Sequence, residues 1–206
     1  MALRLHAVTV VDSVHEAHVL RDGARAITFR DLASIVTDRE KFSLDEPDPA
    51  LANQHREIVD TVFKAQVVLP TPVGIVFRTE HVLARWMELH YVALTDALAF
   101  VADRVAARVH VSRAGGKRAD KEAGSDLAEA AGEVFRELRR RAVASVPLTT
   151  EQVTGMVLSG AFLVERELWA EFERGFGLAR DANPELTIEL TGPWAAYDFV
   201  RMQFGD

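Results

Sequence analysis

Val105-Ala106-Ala107-Arg108-Val109-His110-Val111 is rich in valine and reads as a strand. The segments after this strand set the plan of the second half of the chain. Ser112 to Gly124 is a polar loop containing Gly115-Gly116. Asp126 with Glu129 three residues on resembles a capping box, and Leu127, Ala131, Val134 and Leu138 give the helix behind it an apolar stripe. Strands are expected around Ala144–Val146 and Val153–Val164. A helix is expected from about Glu165 to Arg180 with Leu168, Phe172 and Phe176 inward, and Leu186–Leu190 alternates as a last strand. The succession β-α-β-β-α-β predicts a ferredoxin-like C-terminal domain over residues 104–191.

Upstream, Leu3–Val11 reads as a strand, followed by strands at Glu16–Arg21 and Ala24–Thr37 with Asp22-Gly23 as a tight turn between them. Asp45-Glu46-Pro47-Asp48-Pro49 breaks the pattern. From Ala50 to about Gln66 the residues Leu51, His55, Ile58, Val59, Val62 and Phe63 recur at helical spacing. Val67 to Phe77 carries Pro70 and Pro72 and predicts a bent or edge strand. Thr79 is placed to cap a long helix to about Asp103, with Leu83, Trp86, Met87, Leu94, Ala97, Leu98 and Val101 on its core face. Residues 1–103 are therefore expected to form an N-terminal mixed α/β domain, and the chain as a whole an α+β protein.

Composition excludes several classes. With 49% hydrophobic and 27% charged residues over 206 positions, the chain has the balance of a globular protein. No apolar run approaches the ~18 residues that span a bilayer, and Met1 to His6 leads straight into a strand rather than a secretory segment. Cysteine is absent, which removes thiolate chemistry, and a cytoplasmic address is expected. A net charge of −7 disfavours general nucleic-acid binding. Arg104 to Lys121 is locally basic, but no aromatic is interleaved there to stack on bases, so a solvated loop is expected.

No catalytic, metal or cofactor constellation emerges. His6, His15 and His18 show no fixed helical pairing, and His81 and His90, nine apart on one helix, face opposite ways. His55 and His90 fall on apolar faces and are expected to be satisfied core residues. Ser159 lacks a nucleophile elbow, and Gly115-Gly116-Lys117-Arg118 lacks the spacing of a phosphate loop. Arg139-Arg140-Arg141 closes a helix in which Glu133 and Glu137 can pair with it.

The segment Thr191–Phe204 is different in kind. Gly192 permits a positive φ and Pro193 fixes the next one, so a sharp turn precedes Trp194, Tyr197, Phe199 and Phe204. One expectation is that residues 192–206 form a tail sealing the C-terminal domain, in which case Trp194→Ala would cost about 3–5 kcal/mol. The other is an exposed aromatic anchor for a partner protein.

Three stretches together resemble the gas vesicle protein F and L family. They are His55-Arg56-Glu57-Ile58-Val59; Leu69-Pro70-Thr71-Pro72-Val73-Gly74-Ile75-Val76-Phe77; and Gly160–Glu165 with the tail Gly192-Pro193-Trp194-Ala195-Ala196-Tyr197-Asp198-Phe199. The family closes on Gly-Pro-Trp-Pro-Pro-Tyr-x-Phe; here Ala195 and Ala196 replace two prolines, and Val73 and Ile75 replace a Phe and a Thr around Gly74. The resemblance implies a non-enzymatic structural or assembly protein of the gas vesicle, placed at that organelle and in the cytoplasm. Its implied partners are the hydrophobic main shell protein and other accessory gas vesicle proteins, with no nucleic acid, membrane or cofactor. The implied motif positions are His55, Leu69, Pro70, Gly74, Gly192, Pro193, Trp194, Tyr197 and Phe199. The alternative is a small-molecule-binding or hydrolytic domain using His55 or His90 beside a carboxylate.

Overall fold

The computed structural model describes residues 1–11, 23–42, 48–114, 121–149, 155–200 and 202. The expected strand at Glu16–Arg21, Asp22 of the expected turn, the Gly115-Gly116 loop, Val153 and Phe204 lie outside them. The chain divides into two units: Met1–Ala102 together with the chain from Ala195 onward, and Asp103–Trp194.

In the first unit a buried strand, β1 (Ala2–Val10), is flanked on both sides. It pairs antiparallel with β3 (Leu32–Arg39), which pairs in turn with β2 (Ala24–Phe29). The single strand expected over Ala24–Thr37 is thus a hairpin. The polar pair Arg30-Asp31 interrupts the apolar run, with Arg30 at φ 56° and the Asp31 carboxylate accepting a 2.6 Å hydrogen bond from the Tyr91 hydroxyl. On its other side β1 meets β4 (Val68–Pro70) and β5 (Val76–Phe77). The expected strand over Val67–Phe77 is broken between them, because Pro70 and Pro72 flank Thr71 and Gly74 turns the chain at φ 92°.

Helix α1 (Pro49–Ala65) starts where the sequence predicts. Asp48 accepts from the Ala50 amide at 2.9 Å, Pro49 occupies the first turn, and Leu51, His55, Ile58, Val59 and Val62 are buried. The expected long helix from Thr79 divides into α2 (Glu80–Leu89) and α3 (Tyr91–Val101). Thr79 does cap it, accepting from the Val82 amide at 3.3 Å. The break falls at His90, whose Nδ1 lies 2.9 Å from the Trp86 carbonyl. The backbone bonding nonetheless continues across it, with the His90 amide donating to the same carbonyl at 3.1 Å and the Leu94 amide to the His90 carbonyl at 2.9 Å.

The second unit runs β6 (Arg104–Arg113), α4 (Lys121–Arg139), β7 (Ala144–Pro147), β8 (Met156–Glu165), a 3₁₀ turn (Arg166–Leu168), α5 (Trp169–Asp181) and β9 (Leu186–Trp194). The sheet order is β7-β8-β6-β9 with every neighbouring pair antiparallel, so β8 separates the two strands that α4 connects. Val105, Ala107, Val109 and Val111 share the buried set of this unit with Phe162, Val134, Leu138 and Phe172, and Phe135 and Phe172 flank Phe162 at 5.2 and 5.7 Å between ring centroids. Two expectations fail here. α4 begins five residues before Asp126, so Asp126 and Glu129 are interior helix residues and make no capping box. Leu168 sits in the 3₁₀ turn and is exposed, because α5 begins only at Trp169.

The last strand also runs four residues past Leu190. Thr191 faces Arg108 while Trp194 faces Ala106, so three steps on β9 match two on β6 and the strand bulges. Gly192 absorbs the bulge at φ 135°, where a Cβ would lie 2.8 Å from the Ala106 carbonyl oxygen and 3.0 Å from the Trp169 ring. The tail expected to seal this domain therefore divides. Gly192–Trp194 completes β9, and Ala195 belongs to the first unit, buried with Ala7, Ile35, Ile58, Val59, Val62 and Val68.

Candidate functional site

Two family-motif positions of the first unit, His55 and Tyr197, meet at a buried histidine pair. Strand β1 bulges between Leu5 and Ala7, and the residue in the bulge is His6. Its Nδ1 lies 3.2 Å from Nδ1 of His55 on α1, and its Nε2 lies 2.9 Å from the Thr37 hydroxyl on β3. Thr71, just past β4, closes the bulge: its amide donates to the His6 carbonyl at 3.0 Å and its hydroxyl reaches the Leu5 and His6 carbonyls at 2.9 and 3.0 Å. Tyr197 stands over His55 with ring centroids 6.4 Å apart.

Both rings are sealed, His6 at 0% and His55 at 1% exposure. Burial lowers the His6 pKa to about 3, with the neighbouring His55 and the Arg4 charge acting in the same direction. Burial likewise lowers His55 to about 4. The Thr71 main chain opposes that shift without completing a hydrogen bond to Nε2, which has no partner among the described residues. At neutral pH the pair is uncharged and one ring donates to the other.

The His6 and His55 rings are closed to solvent, and among the described residues no carboxylate hydrogen-bonds to His55 or His90. No group of three His, Asp or Glu there could hold a metal ion. His90, the other candidate of the hydrolytic alternative, is engaged with Trp86 through its Nδ1 and by ring contact at 5.2 Å. A further Ser–His contact joins Ser159 Oγ to His110 Nδ1 at 2.7 Å across β8 and β6. Ser159 is buried in a regular strand, and no third side chain hydrogen-bonds to His110 among the described residues. It forms a cross-strand contact rather than a triad.

The nine motif positions fall into three kinds. His55, Leu69 and Pro70 are core residues, with Pro70 facing Ala7 and Leu69 facing Val8 on β1. Gly74, Tyr197 and Phe199 are half-buried in the same unit. Gly192, Pro193 and Trp194 lie in the other unit, at the exposed end of β9; Trp194 is 37% exposed and its Nε1 donates to Thr191 Oγ1 at 3.2 Å. Sequence spacing missed His6, Thr37 and Thr71, because their meeting depends on strand register and not on helical period. The one available signal was that His6 and His55 both lie on elements of the expected N-terminal domain, His55 on an apolar helix face.

Two crystal structures share this fold: GvpF from Anabaena sp. PCC7120, with a TM-score of 0.78 and 14% identity, and GvpF from Microcystis aeruginosa, with a TM-score of 0.79 and 13% identity. Each comparison covers 98% of this chain and 99% of the other. The fold is thus that α+β class, two antiparallel sheets with helices. In sequence the chain is 24% identical over 188 residues to gas vesicle protein F2 of Halobacterium salinarum, covering 88% of this chain and 82% of that one. It is 25% identical over 191 residues to gas vesicle protein F of Haloferax mediterranei, covering 87% and 82%. The profile described as gas vesicle synthesis protein GvpL/GvpF matches residues 9–115 and 107–201. The chain belongs to that GvpL/GvpF family. No helix among the described residues is long and apolar enough to cross a membrane.

Proposed function

We propose that this chain is a non-enzymatic accessory protein of gas vesicle formation, acting at the organelle and in the cytoplasm by binding the hydrophobic main shell protein. Exposed Trp194 carries the reading. A large aromatic held at a strand end by a bulge and one hydrogen bond, outside the hydrophobic core, has the character of an interface anchor. Gly192 and Pro193 fix its direction, while His55, Leu69 and Pro70 act beneath the surface as packing. A shell subunit with a large apolar face would aggregate before assembly, and a soluble partner that covers it has a physical role. Other accessory gas vesicle proteins are the second partner class.

Co-purification with the main shell protein tests this. Wild-type chain should retain the shell protein and Trp194→Ala should retain at least tenfold less, a loss of about 1.4 kcal/mol or more. Absence of association in both the free and the assembled state overturns the reading. Sealed His55 and half-buried His90, the latter bonded to the Trp86 carbonyl, have no carboxylate hydrogen-bonded to them among the described residues and lend the hydrolytic alternative no support.

A further inference from the structure

The buried histidine pair is sealed from any partner, and its geometry limits how many protons it can hold. An Nδ1···Nδ1 contact of 3.2 Å needs one proton between the two nitrogens. With both rings neutral, one donates and the other accepts. With one extra proton, the contact survives as imidazolium to imidazole, provided the Thr37 hydroxyl turns to accept from His6 Nε2. With two extra protons, both Nδ1 atoms carry hydrogen and face each other, and the contact cannot persist.

We propose that the His6–His55 contact is an acid-sensitive latch. It holds α1 to β1 while at most one proton is taken up, and a second proton breaks it and frees the tail residues Ala195–Tyr197 from α1.

The surroundings favour opening over accommodation. Facing His6 are Thr37 from β3, His55 from α1 and the Arg4 charge of its own strand. Facing His55 are His6, the Thr71 main chain, the Tyr197 ring of the tail and again Arg4. No carboxylate among the described residues acts on either ring, and Arg4 disfavours each added charge. Strand β1 cannot yield, being laddered to β3, β4 and β5. The element that moves is α1, with the tail that packs in its cluster of Ile58, Val59 and Val62. Main-chain bonds of the tail run from Tyr197 to the Ala195 carbonyl and from Phe199 to that of Ala196, within the segment itself. Ala195 is buried in the α1 cluster, so a shift of α1 disturbs its packing.

Hydrogen exchange on the full chain at about pH 7 and about pH 4, corrected for intrinsic exchange, tests the latch. Opening should grow by up to about a hundredfold per pH unit where it takes up two protons from the neutral pair, and about tenfold where the pair already holds one. The expected result is at least tenfold faster exchange in α1 and residues 195–200 at the lower pH, with β6 and β8 unchanged. His55→Asn, which keeps a neutral nitrogen near the Nδ1 position, should cut the acceleration to no more than the roughly tenfold per pH unit that His6 alone can supply. Equal acceleration in the variant, or none in wild type, overturns the proposal. Should the variant not fold, the wild-type imidazole resonances decide. They must titrate together with α1 opening, and titration near 6.5 with α1 still protected overturns the latch.

Discussion

At the residue scale, neutrality is what lets two histidines occupy a core. His6 and His55 have folded-state pKa values of about 3 and about 4 against an ordinary value of 6.5. The unfolded chain therefore binds more protons than the folded one below about pH 6.5. Stability from these groups is complete above that pH and declines as pH falls through about 4 and then about 3. Each histidine should contribute a slope of up to about 1.4 kcal/mol per pH unit within its window. Urea titrations of wild type and His55→Asn between about pH 7 and about pH 4 measure it, and parallel curves would remove the histidine from the account. Gly192 sets a second residue-scale expectation. With φ at 135° and a carbonyl oxygen 2.8 Å from where a Cβ would stand, Gly192→Ala should destabilise the second unit by about 1–3 kcal/mol, read by thermal denaturation.

At the element scale, periodicity carried the reading where a helix buries one face. The stripe of α1, the Thr79 cap and the succession of strands and helices from Arg104 to Leu190 were all legible. What escaped were short interruptions. The turn at Arg30-Asp31 is held by a bond to Tyr91 whose geometry exists only after folding, and the break at His90 is one residue wide within continuous main-chain bonding. The start of α4 at Lys121 escaped because a good capping pattern at Asp126 lies inside a longer helix. Caps that do form should be measurable. Asp48→Ala removes the acceptor for the Ala50 amide and should cost about 1 kcal/mol, visible as a lower urea midpoint with an unchanged slope.

At the scale of the whole molecule, the chain revisits its first unit after finishing its second. Composition and spacing suggested either a lid on the C-terminal domain or an exposed anchor after Pro193, and neither foretold the packing of Ala195 with Ile58 and Val62, which spans more than a hundred residues. Removal of the chain after Trp194 should accordingly loosen α1 and leave the β6–β9 sheet intact. Exchange protection lost in the second unit instead would contradict that division. The candidate site was legible in part. His55 and the tail were found together by family likeness, whereas their physical meeting place, with His6 and Thr71 near Tyr197, required the fold.

Binding through Trp194 is tested most directly by titrating purified main shell protein against wild type and Trp194→Ala while recording the melting temperature of each. Because the indole is 37% exposed, the substitution should cost about 1 kcal/mol of stability rather than the roughly 3–5 kcal/mol expected of a core aromatic, and weaken binding at least tenfold. A variant that melts far below wild type, or binds shell protein as tightly, would contradict the account.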